Sequence, residues 1–239
     1  IIANGFNQSQ SQYKLVAVYK GNYTETMTAA IAAFRAGEQP HIVQVFEVGT
    51  ASMMAAKGAV YPLYQLMKDQ NEPFDEGVYL PAVISYYTTP DGKLLSLPFN
   101  SSTPVLWYNA DALEKLGVGV PKTWNELESA SRKAVANGYK CGFSFGWQSW
   151  VVLENYSAWH NLPIGTMENG FTGFNTEFTL NNDKVINHIQ RIADLAKEGI
   201  FAYGGRRGKS RPMFVNEECV FWMNSSAYYG GFKKDIKFK

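Results

Sequence analysis

The chain has 239 residues, 46% apolar and 18% charged, with a formal net charge of +1. That length is enough for one large domain or two lobes. The near-neutral charge gives no general attraction to nucleic acid or anionic membranes, and no apolar stretch reaches the roughly 18 residues that a membrane-crossing helix needs.

The first residues, Ile1 to Phe6, read as the end of a helix. Tyr13 to Tyr19 alternates like a half-buried strand, and Gly21-Asn22-Tyr23 breaks it. Met27, Ile31 and Phe34 at helical spacing predict a helix over 24–35, stopped by Gly37. Ile42 to Phe46 predicts a short buried strand ending at Glu47. Helices are predicted over 50–57, over 61–68 with an early interruption at Pro62, and over 78–87. Asp91-Gly92 signals a tight hairpin turn, with 93–99 and 105–108 as its flanking strands.

Further on, a helix is predicted over 111–116, and Thr123 with Glu126 forms a capping box opening the next. A strand over 141–145, a helix over 147–159 and a loop over 161–180 follow. The helix over 183–198 carries Val185, Ile189, Ile192 and Leu195 on one stripe, and Gly199 ends it. A short helix near Met213 and a strand over 219–223 complete the pattern.

Strands separated by helices predict an α/β fold of mainly parallel sheets flanked by helices. The expected division is a first lobe over 1–107, lacking its first strand, and a second over 108–239, incomplete at its C-terminal end. The chain opens without Met, so a sequence cut at both ends is expected. Ligands of open α/β sheets bind beyond the carboxyl ends of strands. Tyr23, Glu47, Ser102, Trp147 and Ser225 all follow predicted strands and are the candidate ligand-binding residues. Asn-Ser-Ser occurs at 100–102 and at 224–226, each time after an apolar run. Such tripeptides serve as ordinary turns and caps, or as anion-holding walls of one cleft. Trp147 and Trp150, three apart, either divide between ligand and core or both enter the core.

The search for catalytic chemistry is mostly negative. His41, His160 and His188 form no metal-spaced pair, and no GxSxG elbow is present. The run Gly204-Gly205-Arg206-Arg207-Gly208-Lys209-Ser210 is not a P-loop, because Tyr203 stands where the first glycine is required; it reads as a solvated basic loop. Five N-x-[ST] sequons, at Asn7, Asn22, Asn100, Asn155 and Asn224, read as incidental. Cys141 and Cys219 either form a disulfide or stay as two buried thiols, with no metal site in prospect. A two-carboxylate hydrolase would draw on Glu47 and Glu154.

Pro121-Lys122-Thr123-Trp124-Asn125-Glu126-Leu127 resembles a segment widespread in the solute-binding proteins of ABC importers. Tyr19 to Tyr23 with Ala30 to Arg35, Gln44 to Ala55, Pro98 to Leu106, Gly146 to Trp150 and Glu154-Asn155 are more specific. Together they resemble the periplasmic glycerol-3-phosphate-binding receptors within that family, over almost the whole chain. The resemblance weakens over 164–179 and 203–211. It implies a two-lobed α/β fold and a non-enzymatic, periplasmic, monomeric receptor. The implied partners are a membrane permease and a small phosphorylated polyol, sn-glycerol-3-phosphate or a glycerophosphodiester, held between the lobes. No cofactor, metal or nucleic acid is implied. Carried over by motif, Tyr23 and Ser102 match ligand residues, Glu47 the glycerol-binding glutamate, Trp147 a cleft tryptophan and Ser225 the serine after the Cys-initiated strand. The family's phosphate arginine lies in a segment beyond Lys239, and no residue before it stands out as a substitute. An oligosaccharide receptor of the same fold is the alternative ligand class, and a carbohydrate-active hydrolase using Glu47 the alternative activity.

Overall fold

Local signals set the helices of the first hundred residues. The structure is a computed structural model and describes residues 1–46, 49, 53, 56, 58–89, 91–173 and 175–239. Contacts divide it into two units, Ile1–Asn100 and Ser101–Lys239. In the first, α1 spans Ile2–Ser9 and α2 spans Tyr23–Ala36. Asn22 caps α2 by accepting the N–H groups of Thr24 and Glu25 at 3.0 and 3.1 Å. The Glu25 carboxylate returns to accept the Asn22 N–H at 2.7 Å, completing a capping box. Gly37, at φ 72, ends the helix as expected.

Pro62 precedes α3 (Leu63–Asp69), and Pro81 begins the short α4 (Pro81–Ile84). The single helix expected over 78–87 is therefore broken, because Pro81 lacks an N–H and starts a helix rather than continuing one. The strands expected at 13–19 and 42–46 do not form. Alternation makes a strand only where a neighbour accepts and donates its ladder bonds. Neither segment pairs with a strand among the described residues, and Val16 and Val18 are exposed. Asp91-Gly92 does turn the chain: the Thr89 N–H reaches the Lys93 carbonyl at 2.9 Å beside a Thr88–Leu94 bridge. The expected strand over 93–99 does not continue from it. Glu47, Pro90 and most of the helix expected over 50–57 lie outside the described residues.

The second unit is built on a sheet of order β1-β3-β2, with β1 Pro104–Tyr108, β2 Cys141–Phe145 and β3 Cys219–Ser225. β2 and β3 run parallel, from Cys141 opposite Cys219 to Phe145 opposite Met223, and Phe201 bridges Phe143 in the same sense. β1 is antiparallel to β3, Pro104 opposite Ser225 and Tyr108 opposite Phe221. Both β2 and β3 are buried throughout, which is why they are predominantly apolar, with Ser144 in β2 and Asn224-Ser225 closing β3 as buried polar exceptions. Around them pack α5 (Ala110–Leu116), α6 (Trp124–Ala136), α7 (Asn155–Trp159), α8 (Asp183–Lys197), α9 (Arg211–Val215) and α10 (Tyr229–Asp235). Leu127, Ala134, Ile192 and Leu195 meet Phe143 and Phe221 in the main core; Trp222, alternating to the other face, meets Phe214 and Phe232.

Three local details differ from expectation. The Glu126 carboxylate accepts the Lys122 N–H at 2.7 Å, one residue before the cap Thr123. The buried stripe of α8 is Val185, His188, Ile192 and Leu195, a 3-4-3 spacing that leaves Ile189 42% exposed. The helix expected over 147–159 begins later: Trp147 sits at φ 49, and a π-helical turn, Ser149–Glu154, leads into α7. The open question of the cysteines closes in favour of a disulfide, with Cys141 and Cys219 facing each other at a Cα separation of 4.6 Å.

Candidate functional site at the strand ends of the second unit

β2 and β3 end at the same edge of the sheet, and the antiparallel β1 begins there. This gathers segments distant in sequence. The Ser226 N–H donates to the Thr103 carbonyl at 2.9 Å, and the Thr103 N–H to the Ser226 hydroxyl at 3.3 Å. The two Asn-Ser-Ser tripeptides, read from the sequence as turns or as walls of one cleft, thus lead to one sheet edge. Ser102 is half-buried beside Thr103. Ser225 is 8% exposed, and its Oγ accepts the Ala227 N–H at 3.0 Å, leaving its hydroxyl proton free to be donated. Asn224 is fully buried; its Oδ1 accepts the Ser225 N–H at 2.7 Å, while its Nδ2 has no partner among the described residues.

Trp147 follows β2 at the same edge. A left-handed backbone is an outlier for so bulky a residue, and the surroundings enforce it. The Gly146 N–H extends the ladder to the Met223 carbonyl at 3.2 Å, and the Trp147 N–H donates to the Arg207 carbonyl at 3.1 Å. A side chain at 146 would overlap that carbonyl and the Asn224 amide, so the close approach requires glycine. Trp147 and Trp150 are both half-buried against the main core.

The 204–210 run keeps Arg206, Arg207 and Lys209 exposed, as expected of a solvated basic loop, but its backbone is also fastened to the sheet edge. Gln148 Nε2 donates to the Gly205 carbonyl at 3.0 Å. The Ser210 hydroxyl donates to the Phe145 carbonyl at 3.0 Å and accepts Trp222 Nε1 at 2.7 Å. Arg207, itself at φ 57, places its guanidinium 5.6 Å from the centroid of the Trp147 ring. Arg207 is the residue that sequence reasoning missed; its only signal was a basic, glycine-rich run.

In the first unit, Tyr23 is the first residue of α2, 41% exposed, and stacks on Phe46 with centroids 5.0 Å apart and planes 7° apart. Phe46 immediately precedes Glu47 in the chain. His160 and His188 stand elsewhere, both against Tyr156, His188 stacked on its ring and His160 tilted to it by 42°. A cavity of about 450 Å³ beside them is lined by Leu106, Trp124, Tyr156, Trp159 and Met223 among others, and by none of the candidate residues. Among the described residues no group of three His, Cys, Asp or Glu can hold a metal ion, and no helix is long and apolar enough to cross a membrane. The strand-end edge offers hydroxyls, an indole face and a guanidinium, which suit the non-covalent holding of a small polar anion.

Residues 1–238 match the family of bacterial extracellular solute-binding proteins. The chain belongs to that family. This solute-binding protein is 48% identical over 241 residues to the sn-glycerol-3-phosphate-binding periplasmic protein UgpB of Yersinia pseudotuberculosis, a match covering 99% of the chain and 55% of the relative. It is 46% identical over 233 residues to UgpB of Brucella abortus, covering 96% and 54%. The chain thus spans about half the length of the curated relatives it matches. The crystal structure of UgpB from Mycobacterium tuberculosis in complex with glycerophosphocholine shares the fold, with a TM-score of 0.81 at 16% identity over 100% of this chain and 60% of that one.

Proposed function

We propose that this solute-binding protein is the periplasmic receptor of an ABC importer and that its ligand is sn-glycerol-3-phosphate or a glycerophosphodiester. The observation that carries the reading is the 48% identity sustained over 99% of the chain, well above what a shared fold alone requires. The strand-end geometry supports it. Ser102 and Ser225 suit hydrogen bonds to phosphate oxygens, and Trp147 supplies a flat wall. Tyr23 and Glu47 are the candidates for the glycerol hydroxyls. The role is orientation and release without a covalent step, so the protein is a receptor rather than an enzyme. Its partner is the membrane permease; it works as a monomer and without nucleic acid. The buried Cys141–Cys219 disulfide suits an oxidising compartment such as the periplasm.

Calorimetric titration of the full-length protein tests this. sn-Glycerol-3-phosphate is expected to bind, and Glu47→Ala and Trp147→Ala each to weaken it. Unchanged affinity in both variants would overturn the site. Binding of maltose in place of glycerol-3-phosphate would establish the oligosaccharide reading. Turnover of a chromogenic glycoside, lost on Glu47→Gln, would establish a hydrolase.

A further inference from the structure

We propose that Arg207 is a specificity-determining residue of the strand-end site, supplying the positive charge that favours a phosphate monoester over a choline-bearing phosphodiester. The inference rests on the receptor reading given above and goes further by naming the charged group and the ligand it selects.

Arg207 touches Trp147 twice. Its carbonyl accepts the Trp147 N–H at 3.1 Å, and its guanidinium stands 5.6 Å from the ring centroid. The charge therefore stands beside Trp147, the residue that follows β2 at the edge where β3 ends in Ser225. The loop is fastened on either side of Arg207, at Gly205 by Gln148 and at Ser210 by Phe145 and Trp222. Held this way, a guanidinium loses less freedom on meeting an anion than a cation on a mobile loop would.

The backbone points the same way. Arg207 lies in the left-handed region at φ 57, which favours glycine. Glycine is abundant around it, at 204, 205 and 208, yet position 207 carries a long charged side chain. Strain of this kind persists where the surroundings over-determine it, commonly at ligand sites. Trp147, the residue Arg207 contacts, is left-handed too.

Charge distribution completes the case. From 199 to 216 the chain has four cations, Arg206, Arg207, Lys209 and Arg211, and no carboxylate. Arg211 is paired with Asp235 and covers the Phe232 ring. A guanidinium matches phosphate oxygens in a planar, often bidentate fork. A phosphate monoester carries about −1.5 to −2 at pH 7 and offers three acceptor oxygens. A choline ester has one fewer negative charge and brings a quaternary ammonium that seeks an aromatic face. The guanidinium already on Trp147 opposes that ammonium by like-charge repulsion.

The test is calorimetric titration of the full-length wild type, Arg207→Ala, Arg207→Lys and Arg206→Ala with sn-glycerol-3-phosphate and with glycerophosphocholine. The wild type is expected to favour the monoester. Arg207→Ala should weaken monoester binding by about tenfold or more and change choline-ester binding by less than about threefold, so the preference collapses. Arg207→Lys should recover part of it. Arg206→Ala, the same charge loss one residue away, should leave the preference within about threefold. If Arg207→Ala does not fold, Arg207→Gln takes its place with the same expectation. A wild type that binds both ligands and a variant with the same preference would overturn the role of Arg207 and leave the receptor reading standing. An equal loss in Arg206→Ala would likewise overturn it. A wild type that binds neither ligand would overturn the receptor reading and this inference with it.

Discussion

Protonation of His188 should be a main route by which acid weakens the second unit. The imidazole is 4% exposed, stacked on Tyr156 with centroids 3.7 Å apart and planes 6° apart, and edge-on to Trp124 at 4.6 Å. Its Nε2 has no partner among the described residues. Burial pushes its pKa down from 6.5 to about 4, and Arg191 and His160 add same-sign repulsion. The folded state therefore keeps His188 neutral while the unfolded chain takes up a proton below about pH 6.5. A gap of about 2.5 pH units, at ~1.4 kcal/mol per unit, corresponds to a loss of ~3 kcal/mol. Stability is full above pH 6.5, falls as the pH drops towards 4, and the contribution of this residue levels off below that. Urea denaturation of the wild type and His188→Phe at several pH values from 7.5 to 3.5 isolates the effect, because the carboxyl groups titrate alike in both. The two stability curves should diverge by about 3 kcal/mol on acidification. Curves that stay parallel within ~0.5 kcal/mol, or a titration of His188 above pH 6 by NMR, would refute the reasoning.

Two further outcomes follow from the same unit. Cutting the Cys141–Cys219 bridge, whose partners are 78 residues apart, frees loop-closure entropy of ~4.5 kcal/mol in the chain-entropy limit; the paired Cys141→Ala and Cys219→Ala variant should lose about 2–4.5 kcal/mol in chemical denaturation, and a loss below ~1 kcal/mol would contradict the loop-length argument. Ser210→Ala strands Trp222 Nε1 and the Phe145 carbonyl in the interior and should cost about 1–3 kcal/mol; faster hydrogen exchange over 204–210 should accompany it, and unchanged exchange there would show that Ser210 does not fasten the loop.

What the sequence made legible is what depends on neighbours in sequence. Gly37 and Gly199 bound their helices through contacts a few residues long, so their signals were complete in place. β2 and β3 were legible because burial on both faces leaves predominantly apolar runs. Tyr13 to Tyr19 carries an equally good pattern, but a strand needs a partner that no local pattern supplies. Ser102, Trp147 and Ser225 could be chosen individually from strand ends and resemblance. Their convergence could not, because it depends on the direction of β1 and on Pro104 meeting Ser225, 121 positions further along the chain. Arg207 was hidden for a related reason: its tie to Trp147 is a backbone carbonyl contact, and any residue type provides a carbonyl.

The disulfide joins the first paired residues of β2 and β3, while Trp147 and Ser225 stand past the other end of the same ladder. A slip of one residue between the strands would send Ser225 to the opposite face, and the covalent link at the start of the ladder forbids it. The long excursion between the strands, which includes α7, α8 and the 161–180 loop, therefore leaves from and returns to a fixed alignment. Segments of that excursion outside the 204–210 run, whose Arg207 carbonyl holds Trp147, can be lengthened, shortened or exchanged without altering the β2–β3 register. Variation in ligand preference can then be confined to the 204–208 loop while the hydroxyl-bearing edge beneath it stays constant.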